Sequence, residues 1–297
     1  MPRDRKQIAK QLKAVQAIME DCLHDSKISA LLPPKNNIMG NGKMLRAQLA
    51  LTLGESNGIA EKTNLHAAAA VEIIHGASLL HDDVIDGGLL RRGAPTFWKK
   101  HGTNGAILLG DLLVFEGLDL LVQVGRTDLL QELIAMATHV CRSEVEQELI
   151  LRGTPGTWEE CEEIARTKTG SLFAFAAVAA ASDSPGQKEA LREAGFIMGT
   201  AYQLVDDILD CSGNEEVSGK TLGTDNERGK TTAITATKNA PEKPAEYVDS
   251  LLDASSAQLA AWPALQSSWN NFLDVTMKPV LSKHLSAGDC PTPTSQP

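Results

Sequence analysis

Aromatic side chains are scarce: six Phe, four Trp and two Tyr make up 4% of 297 residues. Strands draw on aromatic and β-branched residues in alternation, and the near absence of both excludes a sheet-built protein. The cysteines (Cys22, Cys141, Cys161, Cys211 and Cys290) are five, an odd count, and none form a C-x-x-C pair, which argues against a disulfide framework and a zinc site. Basic residues are outnumbered, 28 against 38 acidic, for a formal charge of −10. The basic footprint that a phosphate backbone needs is missing, so no nucleic-acid partner is expected. Long apolar runs are missing too, since the longest, residues 172–181, is about half of the roughly 20 residues a membrane helix needs. The start, MPRDRKQIAK, is charged where a secretory signal would be apolar. These absences together predict a cytoplasmic protein with reduced thiols and no transmembrane segment. No Gly- or Ser-rich linker divides the chain, which predicts a single helical domain over residues 1–288 and a disordered Pro-rich tail over 289–297.

What is plentiful is Ala, Leu, Glu and Gln, with apolar residues recurring every three or four positions, the pattern of an all-α protein. Thr157-x-x-Glu160 and Ser184-x-x-Gln187, the latter with Pro185 in the first helical position, both read as capping boxes. They open helices running to about residue 181 and about residue 211. Earlier helices are expected over about 65–85, 104–123 and 129–150, stopped by Gly87-Gly88 and by Gly153-Thr154-Pro155-Gly156. Later ones are expected over about 229–239, 244–260 and 264–285. Segments 67–80 and 195–205 are apolar on nearly every face and belong at the centre of a bundle.

Both central helices end in the same pattern, Asp-Asp-x-x-Asp: Asp82, Asp83 and Asp86 in the first, Asp206, Asp207 and Asp210 in the second. Offsets of one and four residues put the carboxylates on one side of a helical turn. Six like charges near helix C-termini, where the macrodipole is already negative, are unfavourable unless cations sit among them. Hard divalent ions that bridge to a phosphate suit such all-oxygen ligands. Basic residues flank the acids: Lys43 and Arg46, Arg91 and Arg92, Lys168 followed by Thr169, and Lys220 and Lys230. Acids, divalent metals and scattered Lys and Arg together make a diphosphate site.

The run from Glu72 through His75 to Asp86, then Arg91-Arg92-Gly93, then Gln203 to Asp210, resembles the trans (all-E) isoprenyl diphosphate synthases, the polyprenyl synthetase family, from about Lys43 to Lys230. The resemblance implies a bundle of about 10–13 helices around a deep central cavity. It also implies about three Mg²⁺ ions, with Mn²⁺ able to substitute, and a homodimer. By position, Asp82, Asp83, Asp86, Asp206, Asp207 and Asp210 would hold Mg²⁺ against the diphosphate of an allylic prenyl diphosphate. Arg91, Lys168, Lys220 and Lys230 would hold that diphosphate, with Thr169 and Gln203 beside it. Lys43, Arg46, His75 and Arg92 would seat isopentenyl diphosphate. The chain departs from the family where Met44 and Ala47 replace an arginine and a proline, and where Gly87-Gly88 replaces a more polar pair.

Small residues at Ala77 and Ser78, one turn before Asp82, imply an open tunnel, because in the family bulky aromatics there stop the growing chain. With a floor several turns down, near Ile74, Val71, Leu118 or Leu121, the expected product is a polyprenyl diphosphate of about C30–C45 rather than farnesyl or geranylgeranyl diphosphate. Helix 104–123 is apolar at Ile107, Leu108, Leu112, Leu113, Phe115, Leu118 and Leu121, and part of it is expected in a two-fold interface. Rival readings fare worse. Head-to-head prenyl synthases space their aspartates differently, and cyclising terpene synthases replace the second motif. A helical metal-dependent phosphohydrolase, suggested by His81-Asp82, needs further histidines, and the seven present lack the spacing. A non-catalytic subunit of a prenyl synthase would show eroded aspartates, and neither motif is eroded.

Overall fold

The computed structural model describes residues 5–24, 27–28, 42–91, 93–154, 156–182, 184–211, 241 and 243–287, with the backbone alone at residues 5, 208–211 and 284–287. In chain order the helices are α1 (Arg5–Asp21), α2 (Leu45–Ser56), α3 (Glu61–Ile85), α4 (Phe97–Gln123), α5 (Thr127–Glu146), α6 (Trp158–Ala165), α7 (Ser171–Val178), α8 (Pro185–Cys211), α9 (Pro244–Ala257), α10 (Pro263–Phe272) and α11 (Lys278–Ala287). Three π-helical turns continue α5, α6 and α10: Gln147–Leu151, Arg166–Gly170 and Leu273–Met277. A two-stranded antiparallel hairpin, β1 (Leu90–Arg91) with β2 (Ala94–Pro95), pairs Leu90 with Pro95 and Arg91 with Ala94. The all-α expectation holds, and no described helix is long and apolar enough to cross a membrane.

The two helices read as central are central. Ala67 through Val71, Ile73 and Ala77 are buried along α3, which packs against α1, α2, α4 and α7. A helix with no polar face can only sit inside others. Glycines set how closely its neighbours approach. On α4, Gly110 lies against the His81 imidazole, and a Cβ on Gly117 would come within 3.1 Å of Ile74, so two glycines seven apart face two α3 side chains seven apart. Between α7 and α8 the crossing is tighter: a Cβ on Gly199 would lie 2.6 Å from the Gly170 Cα, and one on Gly195 2.5 Å from the Ala174 Cα.

The expected boundaries are met with two instructive differences. Thr157 and Glu160 form the capping box, Glu160 N–H donating to Thr157 Oγ1 at 3.2 Å and Thr157 N–H to Glu160 Oε2 at 2.8 Å. The second expected box does not form. Gln187 is buried, and its Oε1 accepts from the Ser182 N–H at 2.7 Å and from Asn57 Nδ2 at 2.8 Å, tying α8 to the α2–α3 turn. The helix expected from residue 104 starts at Phe97 but is broken at Gly102, whose φ of 80° and ψ of 161° interrupt the ladder. Gly87 and Gly153 take positive φ, 64° and 76°, where the stops were read. The expected helix 229–239, the tail 289–297, Arg92, Lys220, Lys230 and the side chain of Asp210 lie outside the described residues.

Candidate active site

The first acidic motif closes α3. Asp86 is its C-cap, with its N–H donating to Asp82 O at 2.7 Å. Gly87 then turns the chain, and the short hairpin carries Arg91 back over the motif. Arg91 donates through Nε and Nη2 to Asp83 Oδ1, both at 2.8 Å. The hairpin is pinned there by Thr96 Oγ1 and Trp98 Nε1, each donating to Gly88 O at 2.8 Å. Asp83 is buried, and burial pushes its carboxyl up while Arg91 opposes the rise. Among the described residues Asp82 has no such hydrogen-bonded partner, and it feels several charges. Burial pushes its carboxyl up to about 6, with Lys168 pulling down and Glu144 and Asp86 pushing further up.

The π turn Arg166–Gly170 joins this motif to the second. Lys168 projects from it into an ion pair with Glu144 of α5, and although burial would lower the ammonium's pKa, Asp82 and Glu144 outweigh burial and raise it. The next residue, Thr169, donates from Oγ1 to Gln203 Oε1 at 2.5 Å. Gln203 Nε2 in turn donates to Asp207 Oδ1 at 2.7 Å. One five-residue turn therefore touches both acidic motifs, electrostatically at Asp82 and by hydrogen bonds at Asp207. π turns inside longer helices recur at functional sites because the extra residue re-aims side chains. This one is braced by Arg166, which donates to both Glu193 oxygens, at 3.1 and 2.5 Å, and lies 4.4 Å from the Phe196 ring centroid.

The basic pair sits at the start of α2. Arg46 is buried with its guanidinium 4.7 Å from the centroid of the Phe173 ring, and burial lowers its pKa against the opposing charge of Glu72. Lys43 is exposed, its carbonyl held by Gln48 Nε2 at 2.6 Å. His75 is half-buried on the α3 face that carries Glu72 and leads to Asp82. Ala77 is buried, whereas Ser78 is half-buried with its hydroxyl donating to His75 O at 2.9 Å. His81 points away from the acids to α4, where Nε2 lies 3.3 Å from Asp111 Oδ1 and 3.3 Å from Ile107 O. It fills the space that Gly110 leaves.

The donor set fits divalent cations. Asp82, Asp83, Asp86, Asp206 and Asp207 offer carboxylate oxygens of the kind such ions prefer, and a carboxyl raised to about 6 marks a place short of positive charge. Among the described residues no three acidic, His or Cys side chains enclose an ion unaided. Mg²⁺ does not require that, since it keeps several waters and binds through one or two carboxylates plus substrate phosphates. Sequence reasoning missed Glu144. It lies in a row with Glu146 and Glu148, and nothing in their spacing says which of them meets the half-buried Lys168.

Residues 30–263 match the family model for polyprenyl synthetase. Over 199 residues, 66% of this chain and 60% of its own length, an octaprenyl diphosphate synthase of Haemophilus influenzae is 37% identical. That match spans less than two thirds of the relative. A short chain isoprenyl diphosphate synthase of Methanothermobacter thermautotrophicus is 34% identical over 233 residues, covering 75% of this chain and 72% of that one. Among solved structures, a polyprenyl synthase from Caulobacter crescentus complexed with calcium and isoprenyl diphosphate superposes with a TM-score of 0.71 at 26% identity, covering 95% of each chain. Helical architecture, paired acidic motifs and these likenesses agree, and the chain belongs to the polyprenyl synthetase family of prenyltransferases.

Proposed function

We propose that this chain condenses isopentenyl diphosphate head-to-tail with an allylic prenyl diphosphate, releasing diphosphate and an all-trans prenyl diphosphate longer by one unit per cycle. The observation that carries the proposal is the π turn, which brings Lys168 to Asp82 and, through Thr169 and Gln203, reaches Asp207. Asp82, Asp83, Asp86, Asp206, Asp207 and Asp210 would hold about three Mg²⁺ ions, which when bound supply Lewis acidity to the leaving diphosphate. Lys168, Arg91, Lys220 and Lys230 hold the allylic diphosphate as its C–O bond breaks and the electron pair leaves with oxygen. Lys43, Arg46, His75 and Arg92 seat isopentenyl diphosphate so that its double bond attacks the allylic cation. The proton lost in forming the new double bond goes to the departing diphosphate, so no side-chain base is required.

A product of about C30–C45 is favoured by the small residues at Ala77 and Ser78 and by the absence of aromatics at Val71, Ile74, Leu118 and Leu121. The relatives include both octaprenyl and short-chain synthases, so length rests on this wall rather than on kinship. The enzyme is read as a cytoplasmic homodimer. Radiolabelled isopentenyl diphosphate, an allylic primer and Mg²⁺, followed by chromatography of the dephosphorylated products, tests both levels. No incorporation would overturn the activity. Wild-type products that stop at farnesyl or geranylgeranyl length, or an unchanged ladder in Ser78→Phe, would overturn the tunnel.

A further inference from the structure

Met44 is the only non-glycine residue with positive φ among those described, at φ 47° and ψ 47°, and it is the N-cap of α2. A methionine there has no oxygen to offer the orphan N–H groups of the first turn, and no side-chain cap comes from it. The group that an N-cap side chain ordinarily satisfies is the N–H three residues on. That N–H belongs to Ala47, and it donates instead to Glu72 Oε1 at 2.9 Å, on α3, 25 positions away. Glu72 is buried, so its charge lies at the positive end of α2 with little water to screen it. Its charge also acts on Arg46, whose Nε is buried with no hydrogen-bond partner among the described residues. On the other side of Met44, Gln48 holds the Lys43 carbonyl. The backbone that carries Lys43 and Arg46 is thus held on both sides of a strained residue, and strain of that kind persists only where surroundings hold it.

We propose that Glu72 is the positioning residue of the isopentenyl diphosphate subsite, a carboxylate from α3 that caps α2 from outside and fixes Arg46 for its anionic partner. The proposal rests on the reading of Lys43 and Arg46 as ligands of isopentenyl diphosphate. Glu72→Ala removes both the cap and the charge, whereas Glu72→Gln keeps an oxygen that can accept from Ala47 and loses only the charge. Steady-state kinetics with each substrate varied in turn should show KM for isopentenyl diphosphate rising roughly tenfold or more in Glu72→Ala and about threefold in Glu72→Gln, with KM for the allylic diphosphate within about twofold of wild type in both. A merely structural carboxylate would lower thermal stability and kcat without distinguishing the substrates. Should Glu72→Ala fail to fold, Glu72→Gln decides alone: a selective rise supports the proposal, and equal or absent changes overturn it. A wild type that incorporates no isopentenyl diphosphate would overturn the functional reading and this proposal with it, while an active wild type with unselective variants would overturn this proposal alone.

Discussion

Asp82 is held in a place that disfavours its charge, and the sign of the consequence can be worked out. Its carboxyl is raised to about 6 by burial, with Lys168 only partly compensating. Between the ordinary carboxylate range and that value the folded chain binds a proton that the unfolded chain releases, so the contribution of this site to stability falls as pH rises through the window. Asp82→Asn, neutral at every pH, escapes the loss. In metal-free protein we expect it to melt above wild type at about pH 7.5, by a margin that shrinks toward about pH 4.5, while turnover with Mg²⁺ drops on the order of 10²–10³-fold. A variant less stable than wild type at the higher pH, or one that keeps substantial turnover, would sink the assignment. The aspartates themselves were legible in the sequence because unfavourable charge repeated at two helix ends calls for a cation. The roles of Glu144 and Glu72 were not legible: each is one acid among several on its helix, and only packing reveals that one meets Lys168 and the other the α2 N-terminus.

The crossing of α7 and α8 governs how the elements hold the site. Gly199 meets the Gly170 backbone at the end of the π turn that carries Lys168 and Thr169, and a Cβ 2.6 Å from a Cα has no flexible side chain to push aside. Gly199→Ala should therefore lower stability by roughly 1–3 kcal/mol and reduce turnover by displacing the turn. Gly186 is the control, in the first turn of α8, where a Cβ would make ordinary contact with Trp262 at 3.9 Å. Gly186→Ala should raise stability by about 0.4–1 kcal/mol and leave turnover alone. Urea denaturation and the condensation assay on both variants check this, and a Gly199→Ala protein as stable as wild type would refute the crossing. Helices with periodic apolar faces and clear caps were readable, as at Thr157, because local chemistry decides them. The box at Ser184 failed because Gln187 found other partners, Ser182 nearby and Asn57 far along the chain. The π turns were unreadable too, since an inserted residue leaves the apolar spacing on either side intact.

At the scale of the whole molecule, α4 has one face buried and one exposed. Gly110, Leu113, Gly117 and Leu121 are buried within the subunit, so Leu113 and Leu121 drop out of the surface that sequence alone assigned to a dimer. Leu108, Phe115 and Val122, spaced seven apart, remain outside; Leu108 is 68% and Phe115 69% exposed. On α5 and the π turn after it, Ile134, Val145, Leu149 and Ile150 are exposed as well, Leu149 to 76%. Single exposed apolar residues are ordinary on a protein surface, but two stripes on consecutive helices are not. A second copy related by a two-fold axis covers such a stripe with itself, which is the simplest way to bury it. Light scattering at micromolar concentration should therefore give the mass of two chains. Phe115→Asp and Leu149→Asp place charges where a folded single chain is open to water, so each should keep the helical circular dichroism signal while shifting the mass toward one chain. Wild type scattering as one chain, or both variants remaining paired, would mean that this surface has another use.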